Sequence, residues 1–336
     1  MARLVVKGYT QRAGIDYIET FSPVVKMTTV RALITTAVKK GWQVLQLDVK
    51  NAFLHGDLHE KVYMEVPPRL VVERPGLVCK LNKSLYGLKQ ASRQWYQKLT
   101  EELCSRGYTH PMLDYSLFYK KVKGSVVFVD VYVDDVLITY THLQEIESLK
   151  NFLHNTFKIK NLGRLHYFLG LEVQYTDKVV LMSQKKFTMD LLKEFGCIDC
   201  PPMNSPLDSS VKLKADERAL LTDPSYYRKL IGNLNFLTNT RLDIAYSVQH
   251  LSQFVQSPKE PHLKVAYHVL RYLKGDPTLG IFLTNDADYT VKAFCDSDWA
   301  SCPQSRKLVS GYIVLLGDSP ISWKSKKQST ISLSSA

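Results

Sequence analysis

Hydrophobic and polar positions along this chain switch between two periods. From Thr28 to Lys40 the apolar residues Val30, Leu33, Ile34, Ala37 and Val38 recur at helical spacing, with Thr28-Thr29 as a cap and Lys39-Lys40-Gly41 as a basic last turn and stop. Gln43 to Val49 then alternates as a strand and carries Asp48 near its end. Helices are expected over 91–106 and 143–157, and between them residues 126–140 form a β-branched run interrupted by Asp134-Asp135. The interruption predicts a hairpin with carboxylates at its tip. Burying an unpaired carboxylate costs more than one apolar side chain returns, so these acids either meet a cation or belong to a surface turn.

Residues 3–10 fit a short basic strand, and 158–175 a basic loop followed by a β-hairpin arm. The first half therefore runs β-α-β-α-β-β-α-β, an α+β layout with a mixed sheet. After residue 180 the pattern is mainly helical, with segments at 184–195, 224–240, 243–256 and 260–274 and a Pro- and Ser-containing connector at 201–211. Short strands near 290–295, 309–315 and 321–324, with turns at Gly311 and Gly317, complete the reading.

Composition narrows the function. With 336 residues and 45% hydrophobic content the chain can bury two or three cores, and disorder is not expected. A formal net charge of +12 with 11% aromatic residues favours nucleic acid over a membrane surface as the partner. Six cysteines are too sparse for a disulfide framework and point to a reducing, intracellular setting. Cys197-Ile-Asp-Cys200 has the spacing of half a zinc site, but no second ligand pair follows. The start of the chain has no apolar signal core, and no membrane span is expected.

If the strand of Asp48 neighbours the hairpin of Asp134 and Asp135, three carboxylates converge, and their repulsion calls for divalent cations. Two Mg²⁺ ions between Asp48 and Asp134 would clamp the attacking and leaving oxygens of a phosphoryl displacement. All-oxygen ligands favour Mg²⁺ over zinc.

Ala2-Arg3-Leu4-Val5, Phe21-Ser22-Pro23-Val24, Leu47-Asp48-Val49-Lys50-Asn51-Ala52-Phe53-Leu54, Leu85-Tyr86-Gly87-Leu88-Lys89-Gln90, Tyr132-Val133-Asp134-Asp135, Tyr167-Phe168-Leu169-Gly170 and Arg271-Tyr272-Leu273-Lys274-Gly275 occur in this order. Together they resemble the reverse transcriptases of Ty1/copia-type retrotransposons. The resemblance implies a right-hand polymerase with partial fingers and palm over 1–178 and a helical thumb or connection over 179–285. A truncated RNase H-like α/β domain would follow over 286–336.

The same resemblance makes Asp48, Asp134 and Asp135 the catalytic acids and, with the Val49 carbonyl, the ligands of two Mg²⁺ ions, Mn²⁺ being a possible substitute. Arg3, Lys7, Phe53 and Gln90 would bind the nucleotide, with the Phe53 ring excluding a 2′-hydroxyl. Tyr132, Phe168, Leu169 and Gly170 would meet primer and template. Asp296 would be the first RNase H acid. Because the Glu-Ala-Glu-Tyr helix and later acids lie beyond Ala336, hydrolysis of an RNA strand by this chain is expected to fail.

Implied partners are an RNA template, a DNA primer, deoxynucleoside triphosphates and other parts of a Pol polyprotein, integrase and protease. Implied locations are a cytoplasmic virus-like particle or the nucleus. A catalytically inactive remnant that still binds nucleic acid is the alternative. Departures from the family pattern include Arg69 for Gly, Leu242 for Pro, and Asp130 in a normally apolar strand position, where it either adds charge near the metals or faces solvent.

Overall fold

A computed structural model describes residues 4–68, 70–122, 124–141, 143–177, 179–208, 210–211, 213–214, 220–298 and 307–329. The chain divides into two compact units, one of residues 1–33 and 42–165, the other of residues 34–41 and 166–336. The long amphipathic helix α1 (Met27–Lys40) contributes its first half to the former and its second half to the latter.

In the first unit the elements are β1 (Val44–Val49), β2 (Tyr63–Glu65), β3 (Val78–Lys80), α2 (Ala91–Ser105), β4 (Leu117–Val122), β5 (Ser125–Tyr132), β6 (Asp135–Tyr140), α3 (Leu143–Phe157) and β7 (Ile159–Arg164). Five strands form a sheet in the order β4-β5-β6-β1-β7. Every pair is antiparallel, where a mixed sheet was expected. The reason is the α3 crossover: it carries the chain from β6 past β1 to β7, so the two strands flanking β1 both oppose it.

Alternation decides which face is buried. Leu45, Leu47 and Val49 of β1, Val127, Val129 and Val131 of β5, and Val136, Ile138 and Tyr140 of β6 all enter one core. Trp95, Leu99 and Leu103 of α2 and Ile146, Leu149, Leu153 and Phe157 of α3 pack into that same core, so both helices cover one face. Each such buried side chain contributes roughly 1.5–3 kcal/mol, against about 0–1 kcal/mol for an exposed ion pair such as Lys83–Asp57. The opposite face carries the acids together with Gln46, Leu137 and Thr139, which are buried.

Two expected elements differ. Among residues 4–10 there is no strand, only a 3-10 turn at Gly8–Thr10. Val6 donates a single backbone hydrogen bond to the Tyr86 carbonyl (2.8 Å), and the segment is pinned there by contact between Gly8 and Gly87. Conversely, 159–164 is not a loop but the edge strand β7, paired to β1 with a bulge opposite Gln46 and Leu47. Only Ile159 of this strand is buried, so it lacks the alternation that marks a strand.

The second unit holds β8 (Tyr167–Phe168), β9 (Leu171–Tyr175), β10 (Val179–Ser183), α4 (Lys185–Glu194), α5 (Pro224–Leu237), α6 (Ala245–Ser252), α7 (Glu260–Gly275), β11 (Ile281–Thr284), β12 (Val291–Asp298), β13 (Val309–Leu316) and β14 (Ser319–Lys327). Strands β11-β10-β9-β8 and β12-β13-β14 form two sheets. The helices share a core of Leu191, Tyr227, Leu234, Val248, Val269 and their neighbours. Gly311 lies inside β13, opposite Asp296 and Ser325, where a turn was expected. Gly317, with φ +60°, does make the turn between β13 and β14.

Helix α5 starts on Asp223, whose carboxylate accepts from the Ser225 and Tyr226 amides (2.9 and 3.3 Å), with Pro224 in the first turn. Asp223→Ala is expected to lower stability by about 1 kcal/mol, read by denaturant unfolding. At the end of α1, Lys39 extends its ammonium to Asp286 (2.6 Å) instead of solvating a basic last turn.

Candidate metal centre

The acids meet through strand register. Asp48 of β1 lies directly opposite Asp135 of β6, and Asp135 opposite Tyr132 of β5. On the other side Asp48 faces Lys160 of β7. One row therefore reads Lys160, Asp48, Asp135, Tyr132 across the sheet, on the face away from α2 and α3. Asp134 sits in the two-residue turn between β5 and β6, and its carbonyl accepts the Val49 amide at 2.8 Å. That bond ties the Asp48-Val49 strand end to the carboxylate turn. Val133, the other turn residue, has φ +52°, a costly conformation for a β-branched side chain.

Burial raises the Asp135 pKa above the usual carboxylate range, and the charges of Asp134 and Asp48 push it further. The Gln46 amide opposes this by donating to Asp135 Oδ1 at 3.0 Å. Gln46 is buried at the strand position before Leu47, and it fixes one oxygen of the acid. Crowded carboxylates that disfavour one another's ionisation suit a divalent cation. Among the described residues no group of three or more His, Cys, Asp or Glu side chains is placed to hold a metal ion as it stands.

Asp130 shares this face, two residues before Tyr132, but it is fully buried and does not face solvent. Its Oδ1 lies 3.1 Å from Ser116 Oγ, which lies 2.7 Å from Asp114 Oδ1. One hydroxyl proton cannot serve both carboxylates, so the second bond requires a proton on an acid. Burial first, then the Asp114 charge, pushes the Asp130 pKa up to about 7, against the Ser116 hydrogen bond. It therefore adds at most part of a charge near the acids at neutral pH.

The remaining expected residues are more dispersed. Phe53 follows β1 in a 3-10 turn (Ala52–His55) and packs 4.8 Å from the Tyr86 ring. Gln90 is fully buried: its amide donates to the Asp16 carbonyl (3.0 Å) and accepts from Gln11 (3.0 Å), so its polar atoms hold the N-terminal segment. Lys7 is exposed beside a groove of about 560 Å³ that includes Tyr9, Tyr63 and Glu65. Arg3 and the family departure Arg69 lie outside the described residues.

In the second unit Leu169 and Gly170, with φ +51° and +83°, turn β8 into β9 while Phe168 is buried. A Cβ on Gly170 would come within 2.6 Å of the Phe236 ring. Asp296 is exposed on β12 beside a cleft of about 400 Å³ lined by Tyr246, Phe294, Trp323, Lys324 and Leu242. Sequence reasoning missed Gln46 and Lys160. The polar Gln46 inside an otherwise apolar strand was a usable signal; Lys160 had none, because its strand was invisible.

A family model described as reverse transcriptase (RNA-dependent DNA polymerase) matches residues 1–209. The chain is 44% identical over 335 residues to the retrovirus-related Pol polyprotein from transposon RE1 of Arabidopsis thaliana, covering 99% of this chain and 23% of that protein. It is 38% identical to the Pol polyprotein from transposon TNT 1-94 of Nicotiana tabacum, covering 99% and 26%. The Gag-Pol polyprotein of transposon Ty1-H from Saccharomyces cerevisiae is 26% identical, with 96% and 19% covered. The chain thus spans about a quarter of the length of the curated relatives it matches. With these matches running through the segment that sets Asp48 against Asp135, the chain belongs to the reverse transcriptase family, among its Ty1/copia-type retrotransposon members.

Proposed function

We propose that this chain carries out RNA-directed DNA synthesis, joining deoxynucleoside triphosphates to the 3′-hydroxyl of a primer. The observation that carries the reading is the register that sets Asp48 opposite Asp135 while the Val49 amide holds the Asp134 carbonyl. Asp48, the Val49 carbonyl, Asp134 and Asp135 would hold two divalent ions, Mg²⁺ or Mn²⁺. Bound there, the ions supply Lewis-acid activation of the primer hydroxyl and charge neutralisation on the triphosphate.

The protein's own part is positional. Gln46 keeps Asp135 oriented, and Lys160 brings a cation beside Asp48 for a phosphate of the primer strand. Tyr132, next in the row, offers a ring to primer or template. Phe168, Leu169 and Gly170 form the tight turn proposed to support the primer, and Arg3 and Lys7 the cations proposed for the triphosphate. Asp296 is assigned to an RNase H-like segment. The net charge of +12 supports a nucleic-acid partner.

The test is primer extension on an RNA template by the 336-residue chain, with Asp134→Asn as control. Metal-dependent extension is expected from the native chain alone. Salt-sensitive binding without extension in either protein would instead assign a nucleic-acid-binding remnant. Phe53 supplies a second test, since its ring stands beside Tyr86 after the Asp48 strand. Phe53→Val is expected to raise ribonucleotide incorporation about 10- to 100-fold relative to deoxynucleotide, as a steric clash of a few kcal/mol is relieved.

A further inference from the structure

Two backbone loops carry the proposed metal ligands, and each contains one non-glycine residue in the left-handed region: Val133 at φ +52° before Asp134, and Asn51 at φ +54° just after Val49 and Lys50. Asparagine adopts this conformation readily, but the β-branched valine does not hold it unaided. Both loops are anchored through their carbonyls. The Trp95 indole donates from Nε1 to the Val133 carbonyl at 2.6 Å. His55 Nε2 lies 3.1 Å from the Lys50 carbonyl, a bond that requires the proton on Nε2.

The two anchors are themselves one packed unit. The Trp95 ring meets Phe157 edge-on at 5.0 Å, and His55 packs on both, 5.8 Å from Trp95 and 5.3 Å from Phe157. Trp95 is only 1% exposed and lies in the same core as α3 and the sheet. An indole N–H buried to this degree needs an acceptor, and the acceptor here is the strained peptide next to a carboxylate.

We propose that Trp95 and His55 are positioning residues for the metal centre, an aromatic clamp, buried at Trp95 and half-buried at His55, that holds the two acid-bearing loops in register with each other through the Val133 and Lys50 carbonyls. This rests on the reading of Asp48, Asp134 and Asp135 as metal ligands. The clamp acts through backbone and touches neither metal nor nucleotide. Outer supports of this kind commonly govern metal affinity by about 10- to 100-fold.

The experiment uses Mn²⁺ as a paramagnetic probe, titrated into the full chain and followed by water-proton relaxation, alongside thermal unfolding. Trp95→Phe keeps a ring against Phe157 and deletes the N–H; His55→Phe does the same for the Lys50 bond and serves if the first variant fails to fold. Each is expected to weaken Mn²⁺ binding by at least about tenfold. In primer extension each should lower kcat and leave KM for the nucleotide within about twofold, the pattern of lost positioning rather than lost substrate contact.

Leu103→Val, a core truncation on the same helix far along from the turn, should lower the unfolding temperature with Mn²⁺ affinity intact. If Trp95→Phe and His55→Phe behave like Leu103→Val, the clamp is merely structural and the proposal is overturned. Asp134→Asn separates that result from failure of the metal reading. Should Mn²⁺ bind this variant as tightly as the native chain, the acids are not the ligands, and the clamp proposal falls with them.

Discussion

Replacing Asp48 with Asn is expected to abolish primer extension, by about a thousandfold or more, because the proposed ligand set would lose several kcal/mol of transition-state charge stabilisation. The informative part is the accompanying stability change, which should run the other way for the acid that faces it. Asp135 has a raised folded pKa through burial and the charges of Asp134 and Asp48. For an acid the sign follows directly. The folded state binds the proton more tightly than the unfolded chain, so stability is fullest below the unfolded pKa and declines as pH rises through the folded one.

At neutral pH and without divalent ions, Asp135→Asn should therefore unfold at a higher temperature than the native chain while losing extension. Saturating Mg²⁺ should raise the unfolding temperature of the native chain and leave that of either Asn variant nearly unmoved. A gain of heat resistance in Asp135→Asn, with the Mg²⁺ response lost in both variants, ties the row of acids to cation binding. An unchanged Mg²⁺ response would break that tie. Scanning calorimetry with and without Mg²⁺ provides the measurement.

Asp130 carries the second large effect. Its folded pKa of about 7, set mainly by burial, stands well above the ordinary value of 3.8. Three pH units of separation correspond to roughly 4 kcal/mol of stability, present below about pH 4 and lost progressively as pH rises toward 7. Asp130→Asn reproduces the neutral charge of the protonated acid, and its amide can still hydrogen-bond Ser116 Oγ. The variant should be more stable than the native chain at pH 8 by up to about 4 kcal/mol and no more stable at pH 4. Urea titrations at the two pH values check this. Equal gains at both would show that the acid is uncoupled from protonation.

Much of this architecture was legible because burial and chemistry coincide in it. The β-branched run of β5 and β6 reads as a hairpin, and Asp134 and Asp135 stand out by interrupting it. Asp48 could be placed because β1 alternates, with Leu45, Leu47 and Val49 inward and Gln46 and Asp48 outward. The helices α1, α2 and α3 followed from their apolar spacing. Strand β7 was hidden because an edge strand with one buried residue has no periodic signature.

Long-range polar contacts were also beyond reach. Gln90 looks like an exposed polar residue preceding a helix, yet its amide lies buried against Gln11 and Asp16, which are distant in sequence. Asp130 looks like a charge in the wrong place, and only the approach of Ser116 and Asp114 explains how a strand tolerates it. Side-chain bonds to remote backbone leave no local pattern. The Trp95 bond to Val133, spanning 38 positions, is of the same kind.

The crossing of Gly8 and Gly87 has a consequence for how such a chain can change over time. A side chain at Gly8 would overlap the Gly87 carbonyl, and one at Gly87 would overlap the Val6 carbonyl. The nearest obstruction at each glycine is thus main chain and not its counterpart's missing side chain. Shrinking a neighbour cannot relieve a substitution at either site, since no residue is smaller and the obstructing atoms are common to all residues. The two positions are closed to compensatory replacement, so a lineage that loses either glycine must move the whole N-terminal segment or return by direct reversion.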